Sequence, residues 1–195
     1  MRLASLTLAA ISSIGVYATA AVASVDVGGA RFAARIESTE PMVLKGSGVL
    51  RWKSLIRAYA AALYLPSDVS TGGALDDVPK RLEIEYFWAI DGPDFGRAAD
   101  QLLVDRLGSE GVAPLRTRLD ALHQSYESVE PGDRYALTYR PGVGTELSKN
   151  GRSLTVIPGS DFATAYFGLW LGDQPIDSRL RDDLRGGQSQ RARTE

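Results

Sequence analysis

Two arginines and a tyrosine carry the clearest chemical potential in this chain. Arg51 and Arg57 bear planar, permanently charged guanidinium groups whose paired donors match a carboxylate at two points. Tyr59 follows closely, and a phenol in a closed cleft can donate to a carboxylate or steady an oxyanion. Tyr59 lies two residues from Arg57, so on a regular strand the two share a face. The residues alone leave open whether Arg51 or Arg57 would anchor an acidic head group. A plainer reading stands beside this one. It makes Arg51 a surface residue next to Trp52 and Lys53, and Tyr59 a core tyrosine bonded to some backbone carbonyl. Trp88, Leu103, Phe162, Tyr166 and Trp170 could wall an apolar pocket around the head-group site. Aromatic stripes at strand or helix spacing are also the ordinary stuff of a core.

Other chemistries are bounded by what the chain lacks. It has no cysteine, so disulfides and thiol chemistry are out, and its single histidine, His123, cannot build a multi-histidine metal site. His123 falls late in a helical pattern, where a histidine commonly meets terminal carbonyls. Asp76-Asp77 and Asp182-Asp183 read as solvated turn and helix positions, since adjacent carboxylates alone do not encircle a cation. Gly46-Ser47-Gly48 lacks the strand–loop–helix setting and the lysine of a phosphate loop. No metal or other cofactor is therefore expected. A formal net charge of −2 offers no electrostatic footprint for nucleic acid.

The elements that must position Arg51 and Tyr59 follow from periodicity. Leu82, Ile84, Tyr86, Trp88 and Ile90 share one face of a strand over 82–90. Residues 134–157 read as a three-strand meander, with Pro141-Gly142-Val143-Gly144 at one turn and Asn150-Gly151 at the other. Helical spacing appears after Asp94, through Phe95, Ala99 and Leu103 to Gly108. It recurs along Leu115, Leu119, Leu122 and Tyr126, and again from Ser160 through Phe162, Tyr166 and Trp170 to Gly172. Ile176, Leu180 and Leu184 mark a short fourth helix. Residues 54–65 are ambiguous: alanine favours a helix, while the spacing fits either a helix or a strand. The sum is α+β with a predominantly antiparallel sheet and no internal repeat.

The two ends look different from the middle. Arg2, the apolar run from Leu3 to Ile11 and beyond, and Ala21-Val22-Ala23 form the three parts of a cleavable signal peptide. A retained anchor would need about 20 predominantly apolar residues, and Ser12, Ser13, Gly15 and Thr19 interrupt this one. Cleavage after Ala23 and export to the periplasm are expected, with no integral membrane segment remaining. Residues 24–186 then form one domain, and the polar stretch 187–195 is expected to be disordered.

The middle of the chain also resembles a known family. Gly46-Ser47-Gly48, Arg51 and Tyr59-Ala60-Ala61-Ala62-Leu63-Tyr64-Leu65-Pro66 resemble the bacterial chalcone-isomerase-like family. Gly132-Asp133, Asn150-Gly151, Leu169-Trp170-Leu171-Gly172 and Pro175 continue the pattern in the same order. The resemblance implies an open-faced β-sandwich, a large antiparallel sheet covered on one face by helices, in which 54–65 is a strand. It implies a ligand cleft between sheet and helices. Plant members of the family divide into enzymes that close a flavonoid ring and relatives that bind fatty acids. The resemblance puts Arg51 at the enzymes' arginine and Tyr59 where the enzymes have threonine, and fatty-acid-binding relatives also use an arginine with a tyrosine to hold the carboxylate. Residues 87–97 lack the tyrosine, lysine and asparagine that the enzymes contribute. The expected function is therefore binding of a small apolar or amphiphilic ligand with an acidic, fatty-acid-like head. Arg51, Tyr59 and Arg57 would hold the head, and Trp88, Phe162 and Tyr166 would line the walls. Two alternatives are an isomerase or intramolecular lyase using Arg51 and Tyr59 as catalytic groups, and a non-catalytic envelope module with a protein partner that the sequence does not specify.

Overall fold

The computed structural model of the protein describes residues 23–52 and 56–187. The expected leader thus lies outside the described residues except for Ala23, and the expected tail except for Gly187. The chain opens with a hairpin, β1 (Ser24–Val27) and β2 (Ala30–Ala33), turned through Gly28-Gly29. Seven further strands follow: β3 (Arg35–Ile36), β4 (Met42–Trp52), β5 (Ile56–Leu65), β6 (Lys80–Tyr86), β7 (Arg134–Arg140), β8 (Gly144–Lys149) and β9 (Arg152–Ile157). They lie side by side in chain order, each antiparallel to the next. Asn150 and Gly151 both take positive φ (50° and 82°), the geometry that a tight turn between twisted strands requires. The expected meander over 134–157 is the β7–β8–β9 half of this sheet.

Alanine-rich β5 is where local propensity and tertiary structure part company. It is buried along most of its length between β4 and β6, and burial of a central strand outweighs alanine's modest helical preference. Its two faces pack against different layers. Tyr59, Ala61 and Leu63 join Leu82, Ile84 and Tyr86 of β6 on the front, beneath the helices. Ala60, Ala62 and Tyr64 meet Val27, Ala30 and Phe32 of the β1–β2 hairpin on the back. The second face of the sandwich is thus partly covered. Arg134 secures that cover by stacking 4.8 Å over the Phe32 ring and donating to the Arg31 carbonyl.

Four helices form the front layer: α1 (Gly92–Val112), α2 (Arg116–Gln124), α3 (Ser160–Leu171) and α4 (Ser178–Leu184). Asp91 stands at the N-cap of α1, with Pro93 in the first turn and Asp94 already inside the helix, and Gly108 (φ 70°) interrupts the helix near the expected stop. The Gly46-Ser47-Gly48 motif is the seat of α4. A Cβ at Gly46 would lie 2.3 Å from the Asp183 and Leu184 carbonyl oxygens, so only glycine lets that helix settle on β4. Strand β6 ends at Tyr86, which leaves Trp88 and Ile90 in the connection to α1; Ile90 pairs with Val129. No helix among the described residues is long and apolar enough to cross a membrane.

Candidate ligand-binding site

Between the front of the sheet and the helices lies a cavity of about 300 Å³. Its floor is Leu50 of β4, Ala58 and Tyr59 of β5, Leu82, Ile84 and Tyr86 of β6, Tyr135 and Leu137 of β7, and Leu147 of β8. Its roof comes from α1 (Asp94, Phe95, Ala98, Ala99, Leu102) and α3 (Tyr166, Leu169, Trp170), with Tyr126 just past the end of α2. Ile90 and Ile176, on the loops entering α1 and α4, complete it. Ala98 and Ile176 are exposed, so the opening lies between the outer side of α1 and the loop before α4.

Polar atoms in this lining are few and are mostly phenols. The Trp170 Nε1–H donates to the Tyr59 hydroxyl at 2.9 Å. The Tyr126 and Tyr166 hydroxyls lie 2.8 Å apart, close enough for one to donate to the other. The Tyr135 hydroxyl donates to the Glu127 carbonyl and accepts from the Glu127 N–H, so its hydrogen bonding is complete within the protein. Tyr86 meets Tyr59, Phe95 and Tyr135 edge-on at 5.7, 5.3 and 6.1 Å, and no hydrogen bond reaches its hydroxyl among the described residues. Burial pushes the Tyr59, Tyr86, Tyr126 and Tyr166 phenols well above their ordinary range, and Tyr135 up to about 12. They are neutral donors at any physiological pH.

The structure brings Tyr59 and Tyr166 to the cavity and leaves the other candidate residues elsewhere. Leu50 pairs with Tyr59 but Arg51 pairs with Arg57, so Ala58 is an extra residue, a β-bulge. The bulge breaks the alternation that would have put Arg57 and Tyr59 on one face. Arg57 instead turns to the back, where it donates to the Gly28 carbonyl and lies over the Phe87 ring at 5.2 Å. Arg51, its cross-strand partner, is exposed and falls on the face opposite Leu50. Trp88 is 58 % exposed and donates to the Arg57 carbonyl rather than facing the cavity. Phe162 is fully buried behind the lining, stacked on Tyr166. His123 does not reach helix-end carbonyls. It stacks on Tyr126 with Nδ1 3.6 Å from the Asp100 carboxylate, under Gly96 where α1 and α2 cross.

Tyr86 and Tyr126 were visible in the sequence only as members of apolar stripes. One signal could have singled out Tyr86. If 54–65 and 82–90 are neighbouring strands, an antiparallel register that aligns their apolar faces can set Tyr86 opposite Tyr59, as it is. Among the described residues no cluster of histidine and carboxylate groups could hold a metal ion.

The geometry of a sheet roofed by helices around an apolar cleft agrees with what comparison with other proteins finds. The model of the chalcone isomerase-like family matches residues 24–186. The chain belongs to the chalcone isomerase-like family. No curated protein matches it in sequence. Among solved structures, the crystal structure of the Arabidopsis thaliana fatty-acid binding protein AtFAP1 superposes with a TM-score of 0.64. That match covers 85 % of this chain and 97 % of the plant protein at 16 % identity, a likeness of fold. The curled seven-stranded antiparallel sheet and its helical layer are thus the family's architecture.

Proposed function

We propose that this chalcone isomerase-like protein binds a small, mainly apolar ligand of fatty-acid-like shape in the cavity between sheet and helices, and that it does so after export to the periplasm. The observation that carries the reading is a cavity of about 300 Å³ walled by leucine, isoleucine, alanine and aromatic rings, with hydroxyls at only a few points. That pattern suits an apolar body oriented by one polar end. The fatty-acid binding named for the Arabidopsis structure supports the same reading. Tyr59, Tyr86 and Tyr166 are the proposed polar contacts, and Phe162 backs Tyr166 from behind. Arg51 is the competing anchor, and it would have to reach the ligand from the other side of the strand.

The test is native mass spectrometry of the purified protein, followed by denaturing extraction and identification of what is released. A stoichiometric apolar ligand is expected on the wild type. Ala98→Trp, which fills the opening from α1, is expected to lose it while keeping the wild-type circular dichroism spectrum. A protein that carries nothing and takes up no offered amphiphile would overturn the reading.

A further inference from the structure

Among the described residues, the positive charges nearest the cavity are bonded to other groups. Lys80 sits on the front of the sheet but is wholly buried, donates to the Asp76 carbonyl and lies 4.8 Å over the Tyr139 ring. Arg106 donates to the Ala165 carbonyl on the far side of α3. Arg57 is held on the back of the sheet by the Gly28 carbonyl. Among the described residues, no lysine, arginine or histidine lines the cavity. Among the described residues its one charged member is Asp94, a carboxylate at the rim that is paired with Arg97.

Donors, by contrast, are plentiful. Tyr59 accepts from Trp170, and among the described residues its own proton and that of Tyr86 meet no acceptor. One proton of the Tyr126–Tyr166 pair is left over, since only one of two hydroxyls can donate to the other. Three neutral donors thus converge on a space without a counter-charge. An ionised carboxylate placed there would give up its hydration for phenol hydrogen bonds alone, and a buried charge without a partner of opposite sign is strongly disfavoured. An uncharged acceptor satisfies the same donors without that penalty.

We propose that this cavity selects ligands whose head group is an uncharged hydrogen-bond acceptor over ionised carboxylates. Long-chain alcohols, ketones and esters belong to that class, and a carboxylic acid enters it in protonated form. The inference rests on the apolar-ligand reading above and specifies the head group that reading leaves general.

Calorimetric titration of the purified protein with 1-dodecanol and with dodecanoate, from pH 5.5 to 8.5, tests it. Dodecanol is expected to bind with the same affinity throughout. Dodecanoate is expected to weaken about tenfold for each pH unit above its own pKa, as its neutral fraction falls, and at pH 8 to bind at least tenfold more weakly than the alcohol. Tyr86→Phe is expected to weaken dodecanol severalfold and to leave the slope of dodecanoate affinity with pH unchanged. Dodecanoate binding as tightly as dodecanol at pH 8, without dependence on pH, would overturn the head-group inference and leave the binding reading standing. Absence of binding by both ligands would overturn the two together.

Discussion

Strands β6 and β7 present two faces made from one pleat and opposite in chemistry. On the front stand Leu82, Ile84 and Tyr86 beside Tyr135 and Leu137, and all five line the cavity. On the back stand Arg81, Glu83 and Glu85 beside Arg134, Thr138 and Arg140. The back charges are arranged in pairs. Glu85 and Arg134 are directly cross-strand and bonded, Arg81 holds Glu83 at 2.8 Å and Thr138 at 2.7 Å, and Arg140 reaches Glu146 at 3.1 Å. The difference shows how the sheet keeps the cavity floor free of charge. Charged residues that such a sheet needs for solubility and register are placed where each has a partner, and on β6 and β7 the period of two keeps all of them except Lys80 off the front.

Moving charge between the faces should break this arrangement, and the two faces should respond unequally. Leu137→Asp buries a carboxylate on the front among apolar side chains, at an expected cost of about 3–5 kcal/mol in urea unfolding. Glu85→Ala removes one partner from a partly exposed pair on the back, where Arg134 keeps Glu83 nearby, for about 1 kcal/mol in the same experiment. Equal losses would mean that the front tolerates charge as readily as the back.

Lys80 sharpens the comparison because it is the one front-face cation of β6. Burial pushes its ammonium down to about 8, against the attraction of Asp77 and Asp76. Between pH 8 and the lysine's unfolded pKa, about 10.4, the unfolded chain binds a proton that the folded protein has released, so stability from this group rises with pH. The difference in melting temperature between wild type and Lys80→Met should therefore shift by a few degrees in favour of the wild type from pH 7.5 to 9.5. A difference that does not move would show that Lys80 stays charged through that range.

Much of this architecture was legible in the residues. The β7–β9 meander, the third helix stopping at Gly172 and the short fourth helix all lie where spacing and turn chemistry put them. The strand at 56–65 became legible through the family pattern, because its alanines argue locally for a helix and only burial between two neighbours reverses that preference. The site was less legible, for a specific reason. A bulge at Ala58 adds one residue and sends Arg57 to the back, and bulges leave little trace in a short alternating segment. Arg51 carries the chemistry expected of an anchor, yet the register on β4 decides its face. Tyr86 and Tyr126 look like core residues in the sequence because they are core residues; the space left beside them is set by how far α1 stands from the sheet, which no single residue records.

The most direct test of the central claim is a crystal structure of the protein with 1-dodecanol bound. The alkyl chain is expected between α1 and the sheet, with the alcohol oxygen within hydrogen-bond distance of the Tyr59, Tyr86 or Tyr166 hydroxyl. A ligand held outside the cavity with its head on Arg51, or helices closed down with no space beside Tyr86, would contradict it.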